Sequence, residues 1–343
     1  MERKDRYKVL FLWKVRESLR KHLEGELEGS AAELIFLEKD QLQESIDYAD
    51  EVDVLIGWKP DLDFLKKASK LKLLINPGAG VQHLKEHFSF LQEKKIVLVN
   101  GHGNAYFTAQ HTIAMLLAVC NRIVPHHQWM QEGQWRLGDK EAKSIPLRNR
   151  RVGLLGYGHV NRLVHRFLEP FGCSVDVLRR SSRTGGIEKE AEPTISQQYT
   201  TENLGAFLQA IDTLVIALPA TKETIGMISA RELDLLGETG IVVNVGRGDI
   251  INEEDFYEAL RDRQIAQAAI DVWYNYKPEA DASGKKFPAE FPFHELDNVL
   301  LSPHRAASPL DDLQRWDDVI ENIRRVGLGE NDFLNVVDLK QGY

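Results

Sequence analysis

Through the first hundred residues, short apolar runs alternate with amphipathic stretches. YKVLFLW (7–13), AELIFL (32–37), DVLIGW (53–58), LKLLIN (71–76) and IVLVN (96–100) read as buried strands by length and β-branched content. Stretches such as DLDFLKKASK (61–70) lie between them with helical spacing, which predicts a parallel sheet covered by helices. A long apolar helix is expected over about 104–131, followed by a polar connection rich in charge, RLGDKEAKSIPLRNR (136–150). The alternation then restarts near residue 148 with RRVGLLG, CSVDVLR, DTLVIAL, GIVVNVG, AQAAIDVW and NVLLS. The tail 310–329 returns to helical periodicity and is expected to pack back on the first half. The pattern predicts an α/β protein of two Rossmann-like or flavodoxin-like domains with parallel sheets.

Charge and cysteine content narrow the function classes. The 343 residues carry a formal net charge of -9 with both signs interspersed, so there is no basic stripe for nucleic acid. The two cysteines, Cys120 and Cys173, form neither a disulfide framework nor a metal motif. The apolar start YKVLFLW runs straight into KVRESLRK, unlike a secretory signal, and no run approaches the roughly 18 apolar residues of a membrane span. A cytoplasmic setting is the expectation.

The run VGLLGYGHVNRLV (152–164) reads as a strand, a glycine turn and a helix. In a dinucleotide-binding turn the first glycine makes the tight bend and the second lets the backbone approach a pyrophosphate at the helix start. Gly156 and Gly158 stand in those places, with Tyr157, His159 and Val160 completing the turn. The third glycine, which serves helix-to-strand packing, is replaced by Asn161, expected here as a packing cost.

Five further stretches occur in order: NPGAGVQHL (76–84), LPATKETIGMISARELDLL (218–236), NVGRGDIINEEDFYEAL (244–260), AAIDVW (268–273) and NVLLSPHRAA (298–307). Together with the glycine turn, this ordered set resembles the D-isomer-specific 2-hydroxyacid dehydrogenases. WKP (58–60), GAGV (78–81) and the terminal VDLKQGY are most similar to the glyoxylate/hydroxypyruvate reductase branch. The resemblance implies a substrate domain of residues 1–124 plus 308–343, a nucleotide-binding Rossmann domain of residues 125–307, and an active site in the cleft between them. It also implies a homodimer.

The residues past the second Rossmann strand bear on the cofactor. A carboxylate at the strand end would bind a ribose 2′-hydroxyl, whereas cations suit a 2′-phosphate. Counting in the family's register, the strand end falls on Arg179, followed by Arg180 and Ser181, which points to NADP(H). Asp176 lies inside the strand and leaves NAD open. Leu218 and Pro219, and Val245 and Gly246, follow two later strands and are expected to close on the cofactor. By the resemblance, Thr108 faces the nicotinamide and Asp271 lies near its carboxamide.

Reducing a 2-oxo acid needs a cation for the substrate carboxylate and a proton for the carbonyl oxygen. From its position alone Arg247 reads as a structural arginine; the resemblance assigns it the carboxylate, together with the backbone N–H groups of Ala79 and Gly80. His304, in SPH after a strand, matches the proton donor, an imidazole that titrates near neutral pH. His111, His126 and His127 lack such a context. Trp58 is a candidate wall for the substrate side chain. One departure stands out: where the family places a glutamate beside the histidine, this chain has Tyr276, with Glu279 three residues on, and the segment 278–294 is longer than the family pattern. The expected function is an NADP-dependent reductase of a small 2-oxo acid. The alternatives are an NAD-dependent relative acting on another small anion, and a nucleotide-sensing protein like the corepressors that share the fold. No metal site is expected.

Overall fold

The computed structural model describes residues 6–38, 42–136, 138, 140, 143–180, 193–308 and 311–343. They form two compact units, one within Met1–Asn104 and Pro309–Tyr343, the other within Ala105–Ser308.

The first unit holds β1 (Tyr7–Phe11), β2 (Ala32–Phe36), β3 (Val54–Ile56), β4 (Leu73–Asn76) and β5 (Val97–Asn100), all parallel, in the order β2-β1-β3-β4-β5. Successive side chains go to opposite faces. Leu10, Leu55, Leu74 and Leu98 enter one core, while Val9, Phe11, Val54, Ile56 and Leu73 enter the other. The second core is closed by the helix Asp317–Leu328 through Val319, Ile320 and Ile323, and the Tyr7 hydroxyl donates to the Ile323 carbonyl at 2.8 Å. The tail thus returns to the first half as its periodicity predicted.

The second unit holds β6 (Arg151–Leu155), β7 (Ser174–Leu178), β8 (Gln197–Tyr199), β9 (Thr213–Ile216), β10 (Ile241–Asn244), β11 (Gln267–Ile270) and β12 (Val299–Leu301). All are parallel, in the order β12-β11-β10-β9-β6-β7-β8. The order reverses between β6 and β9, and beyond the carboxyl ends of that pair lies the crevice where such sheets bind ligands. Every strand predicted from an apolar run is present. β8 (QQY) was not predicted, since it has no apolar alternation.

Two expectations need correction. The helix expected over about 104–131 is two helices, Ala105–Cys120 and Ile123–Gln131, separated at Arg122 with φ +52°. Pro125 explains the break: within a continuous helix it would lack its N–H and clash with the carbonyl of Asn121, whereas in the first turn of a new helix neither cost arises. The compact units also divide at 104/105 rather than 124/125. Helix Ala105–Cys120 packs Ala109, Met115, Leu116 and Val119 against Val152, Leu154 and Val243 of the second sheet. Among the described residues, no helix is long and apolar enough to cross a membrane.

Candidate active site

After β6 the chain turns through Gly156 and Gly158 into the helix His159–Leu168. Gly156 has φ +86°, and a Cβ on it would lie 2.7 Å from the Leu218 side chain, so this turn and the loop after β9 are in close contact. A Cβ on Gly158 would meet nothing within 4 Å, and no side chain caps the helix there. An open, uncapped helix start is the arrangement that receives a phosphate. Asn161, expected as a packing cost, makes hydrogen bonds through Nδ2, while its buried Oδ1 has no partner among the described residues. Buried, it donates from Nδ2 to the carbonyls of Leu155 at 3.3 Å and Gly156 at 2.6 Å, tying the turn to its strand. Tyr157 hydrogen-bonds His165 Nδ1 at 2.8 Å, and the guanidinium groups of Arg162 and Arg179 lie 5.5 and 6.0 Å from its ring centre. His159 is exposed and Val160 half-buried.

β7 ends at Leu178, so Arg179 and Arg180 do follow the strand end. The Arg179 N–H donates to the Tyr199 carbonyl at 3.1 Å and its side chain to Gln198 at 2.5 Å; Arg180 is exposed. Ser181 lies outside the described residues. Asp176 is corrected as a ribose ligand: it sits in mid-strand, is 0% exposed, and pairs with Arg151 Nη2 at 2.6 Å.

The loops after β9, β10 and β11 are packed edge to edge. A Cβ on Gly246 would come within 2.9 Å of the Leu218 backbone, and one on Gly248 within 2.5 Å of the Trp273 carbonyl. The glycines on either side of Arg247 are therefore required by these close approaches. Asn244, the buried last residue of β10, accepts from the Gly246 N–H at 3.1 Å and donates to the Arg247 carbonyl at 3.0 Å. Val245 is buried, while Leu218 and Pro219 are half-buried. Arg247 itself is half-buried, donates to the Gly246 carbonyl at 2.7 Å, and forms no ion pair among the described residues.

His304 follows β12 with φ +57°, a left-handed conformation that few non-glycine residues adopt. Asp271 holds the loop around it. Only 2% exposed, this carboxylate accepts from the Ser302 hydroxyl and from the N–H groups of Arg305 at 2.7 Å and Ala306 at 3.1 Å. Asp271, expected beside a nicotinamide carboxamide, is engaged by the histidine loop. His111 joins it through Ser302 at 3.0 Å, and the Trp273 indole donates to the Ser302 carbonyl at 2.9 Å. His304 Nδ1 meets the Tyr276 hydroxyl at 2.8 Å, and the Trp273 N–H lies 3.4 Å from the same oxygen. Glu279 is exposed and has no bond to His304. Desolvation by the surrounding chain pushes the His304 imidazole below its ordinary pKa; Asp271 opposes this, and Arg247 and Arg305 add to it. Local desolvation around its hydroxyl pushes the Tyr276 phenol up. The long segment after Tyr276 folds back so that the Pro288 carbonyl accepts from the N–H groups of Tyr274 at 3.3 Å and Asn275 at 2.9 Å. Thr108 is buried on helix Ala105–Cys120, its carbonyl accepting from Thr112 at 2.6 Å.

In the first unit, the loop Gly78–Gly80 follows β4. The buried Asn76 donates to the carbonyls of Gly78 and, at 3.1 Å, Gly80, and Asn100 donates to that of Ala79 at 2.7 Å. With the carbonyls held, the N–H groups of Ala79 and Gly80 have no partner among the described residues. Trp58 is partly exposed, and its indole nitrogen lies 3.5 Å from where a Cβ on Gly78 would stand. Asn76, Asn100 and Asn244 were not singled out from the sequence, although the signal was present: three apolar strands each end in asparagine.

Residues 113–306 match the family model described as D-isomer specific 2-hydroxyacid dehydrogenase, NAD binding domain. The chain belongs to that family. A glyoxylate/hydroxypyruvate reductase of Arabidopsis thaliana is 30% identical over 259 residues, covering 74% of this chain and 73% of its own. A D-3-phosphoglycerate dehydrogenase of Archaeoglobus fulgidus is 29% identical over 273 residues, 79% of this chain and 48% of its own. The chain spans about half the length of the D-3-phosphoglycerate dehydrogenases it matches. Among solved structures, a family member from Xanthobacter autotrophicus, in complex with NADPH and MES, superimposes with a TM-score of 0.75 at 25% identity, over 98% of this chain and 100% of that one.

Proposed function

We propose that this 2-hydroxyacid dehydrogenase is an NADPH-dependent reductase that converts a small 2-oxo acid of the glyoxylate or hydroxypyruvate type into its D-2-hydroxy acid. The observation that carries this reading is the presence, at the carboxyl ends of one sheet, of Arg247, a half-buried guanidinium with no ion pair among the described residues, and of His304, an imidazole bonded through Nδ1 to Tyr276. The guanidinium offers two parallel N–H donors to a carboxylate, and the imidazole offers a proton to an oxygen. His304 Nε2 has no partner among the described residues, which leaves that proton available. On the same reading, the free N–H groups of Ala79 and Gly80 bind carboxylate without adding charge, and Trp58 bounds the substrate side chain.

The chain's residues fit a dinucleotide. The open glycine at 158 admits a pyrophosphate to the helix start, Leu218, Pro219, Val245 and Gly246 form the adjoining loops, and Arg179 and Arg180 suit a 2′-phosphate. Bound there, the cofactor supplies hydride to the substrate carbon. Thr108 keeps its proposed place toward the nicotinamide. The burial and pairing of Asp176 remove the residue that favoured NAD.

The test is a steady-state assay of NADPH and NADH oxidation against a panel of 2-oxo acids. NADPH should be preferred, and Arg180→Ala should raise the KM for NADPH roughly 10- to 100-fold, the loss of one charge-assisted contact, while barely changing that for NADH. A wild-type preference for NADH overturns the cofactor reading. Failure to consume any 2-oxo acid overturns the reaction.

A further inference from the structure

The partner of His304 determines what the ring can do, and in this chain the partner is a phenol. A carboxylate only accepts hydrogen bonds. Beside Nδ1 it would hold a proton there, stabilise the imidazolium, and leave the neutral ring with a free lone pair on Nε2. The Tyr276 hydroxyl has a proton of its own. Its oxygen is approached by the Trp273 N–H at 3.4 Å and by His304 Nδ1 at 2.8 Å. The Trp273 amide occupies one of the two lone pairs on that oxygen, which leaves the hydroxyl proton free to be directed at Nδ1.

We propose that Tyr276 is a positioning residue that sets the resting tautomer of His304 to neutral with the proton on Nε2, which biases the site toward reduction. The reading of the site as a 2-oxo acid reductase underlies the second half of this statement, not the first. In reduction, the imidazolium passes its Nε2 proton to the carbonyl oxygen as the cofactor delivers hydride to carbon. The Nδ1–H left behind points at the Tyr276 oxygen, and a proton from water restores the cation. In oxidation, Nε2 must receive a proton from the hydroxyl, so the resting ring has first to move its own proton from Nε2 to Nδ1. A ring paired with carboxylate needs no such step.

The surrounding charges make up for the missing carboxylate only in part, through Asp271. Asp271 lies behind the loop, engaged by Ser302 and two backbone N–H groups, with His111 hydrogen-bonded to the same Ser302 hydroxyl. Asp271 favours a positive charge on His304 while Arg247 and Arg305 oppose it, and Asp249 raises the Tyr276 phenol. Linkage makes the consequence quantitative: the ratio of limiting kcat/KM for oxidation to that for reduction changes tenfold for each unit by which the imidazole pKa moves.

The test uses the full-length protein with 15N-labelled histidine, the His304 signals being those absent from His304→Asn. Above its titration midpoint, wild-type His304 should show a protonated Nε2 and an unprotonated Nδ1. Tyr276→Phe, which keeps the ring and removes the hydroxyl, should lose that preference. Tyr276→Glu should place the proton on Nδ1 and raise the midpoint by about 1 to 3 pH units. Its limiting oxidation-to-reduction ratio should rise by the same power of ten. A wild-type ring protonated on Nδ1, or a Tyr276→Phe spectrum like wild type, overturns the proposal. If no 2-oxo acid is reduced, the functional reading fails, while the spectra of the free protein still decide the pairing. Because Tyr276 is 54% exposed, neither substitution disturbs the core.

Discussion

The two sheets hold the loops at their carboxyl ends by different means. In the first, Asn76 and Asn100 hold the carbonyls of Gly78–Gly80 and leave uncharged N–H groups exposed. In the second, Asn244 does the same for the Gly246–Arg247 bend, but a buried carboxylate, Asp271, secures the neighbouring loop, and two cations act on His304. Neutral amides fix geometry and add no net charge. The charged set fixes geometry and, after desolvation, also bears on when an imidazole carries a proton. The first arrangement suits binding, and the second suits proton transfer.

The largest effect in this comparison should come from the charged set. His304→Asn should lower kcat by roughly 100-fold or more, the usual contribution of a general acid, with little change in KM. Steady-state reduction of the best 2-oxo acid measures it, and near-wild-type turnover would remove His304 from the chemistry. Next is Arg247→Ala, expected to lower kcat/KM by roughly 10- to 100-fold through loss of charged hydrogen bonds present in both ground and transition states. If only kcat falls, Arg247 does not bind the ground-state carboxylate.

The neutral amides should act mainly on stability. Asn161→Gly restores the glycine expected in the turn, yet it removes donors from two buried carbonyls. It should therefore destabilise the second unit by about 1 to 3 kcal/mol in urea unfolding. A stabilised Asn161→Gly protein would show that the turn does not need those bonds.

The smallest effect concerns pH. Local desolvation holds the His304 imidazole below its ordinary pKa in the free protein, so as pH rises kcat/KM for reduction should start to decline before the ordinary histidine pKa is reached. Arg305 adds to that depression from an exposed, solvent-screened position, so Arg305→Ala should move the limb upward only slightly. A shift downward would show that the cation does not act on His304.

The apolar runs made nearly the whole architecture legible, because a strand buried on both faces leaves little freedom in composition. β8 escaped because QQY is polar and gains its place only by pairing with β7. Arg247 and His304 were singled out through the family resemblance rather than by residue type alone, and the signal was weaker still where an amide or carboxylate serves a loop. Asp271 shows the limit: the sequence marks an acid at a strand end, but only the fold shows that its oxygens are taken by Ser302, Arg305 and Ala306. Asn161 shows the reverse, since a residue that departs from the fingerprint supplies the hydrogen bonds that hold the turn.

The backbone at His304 constrains which substitutions the position can accept. At φ +57° the loop accepts glycine freely and Asn, Asp or His readily, whereas a β-branched side chain there would be strained. A descendant of this chain that no longer transferred protons would therefore keep its loop most easily by taking Asn, Asp or Gly at residue 304. Loss of activity by drift would then leave the fold intact, with a binding protein in place of an enzyme.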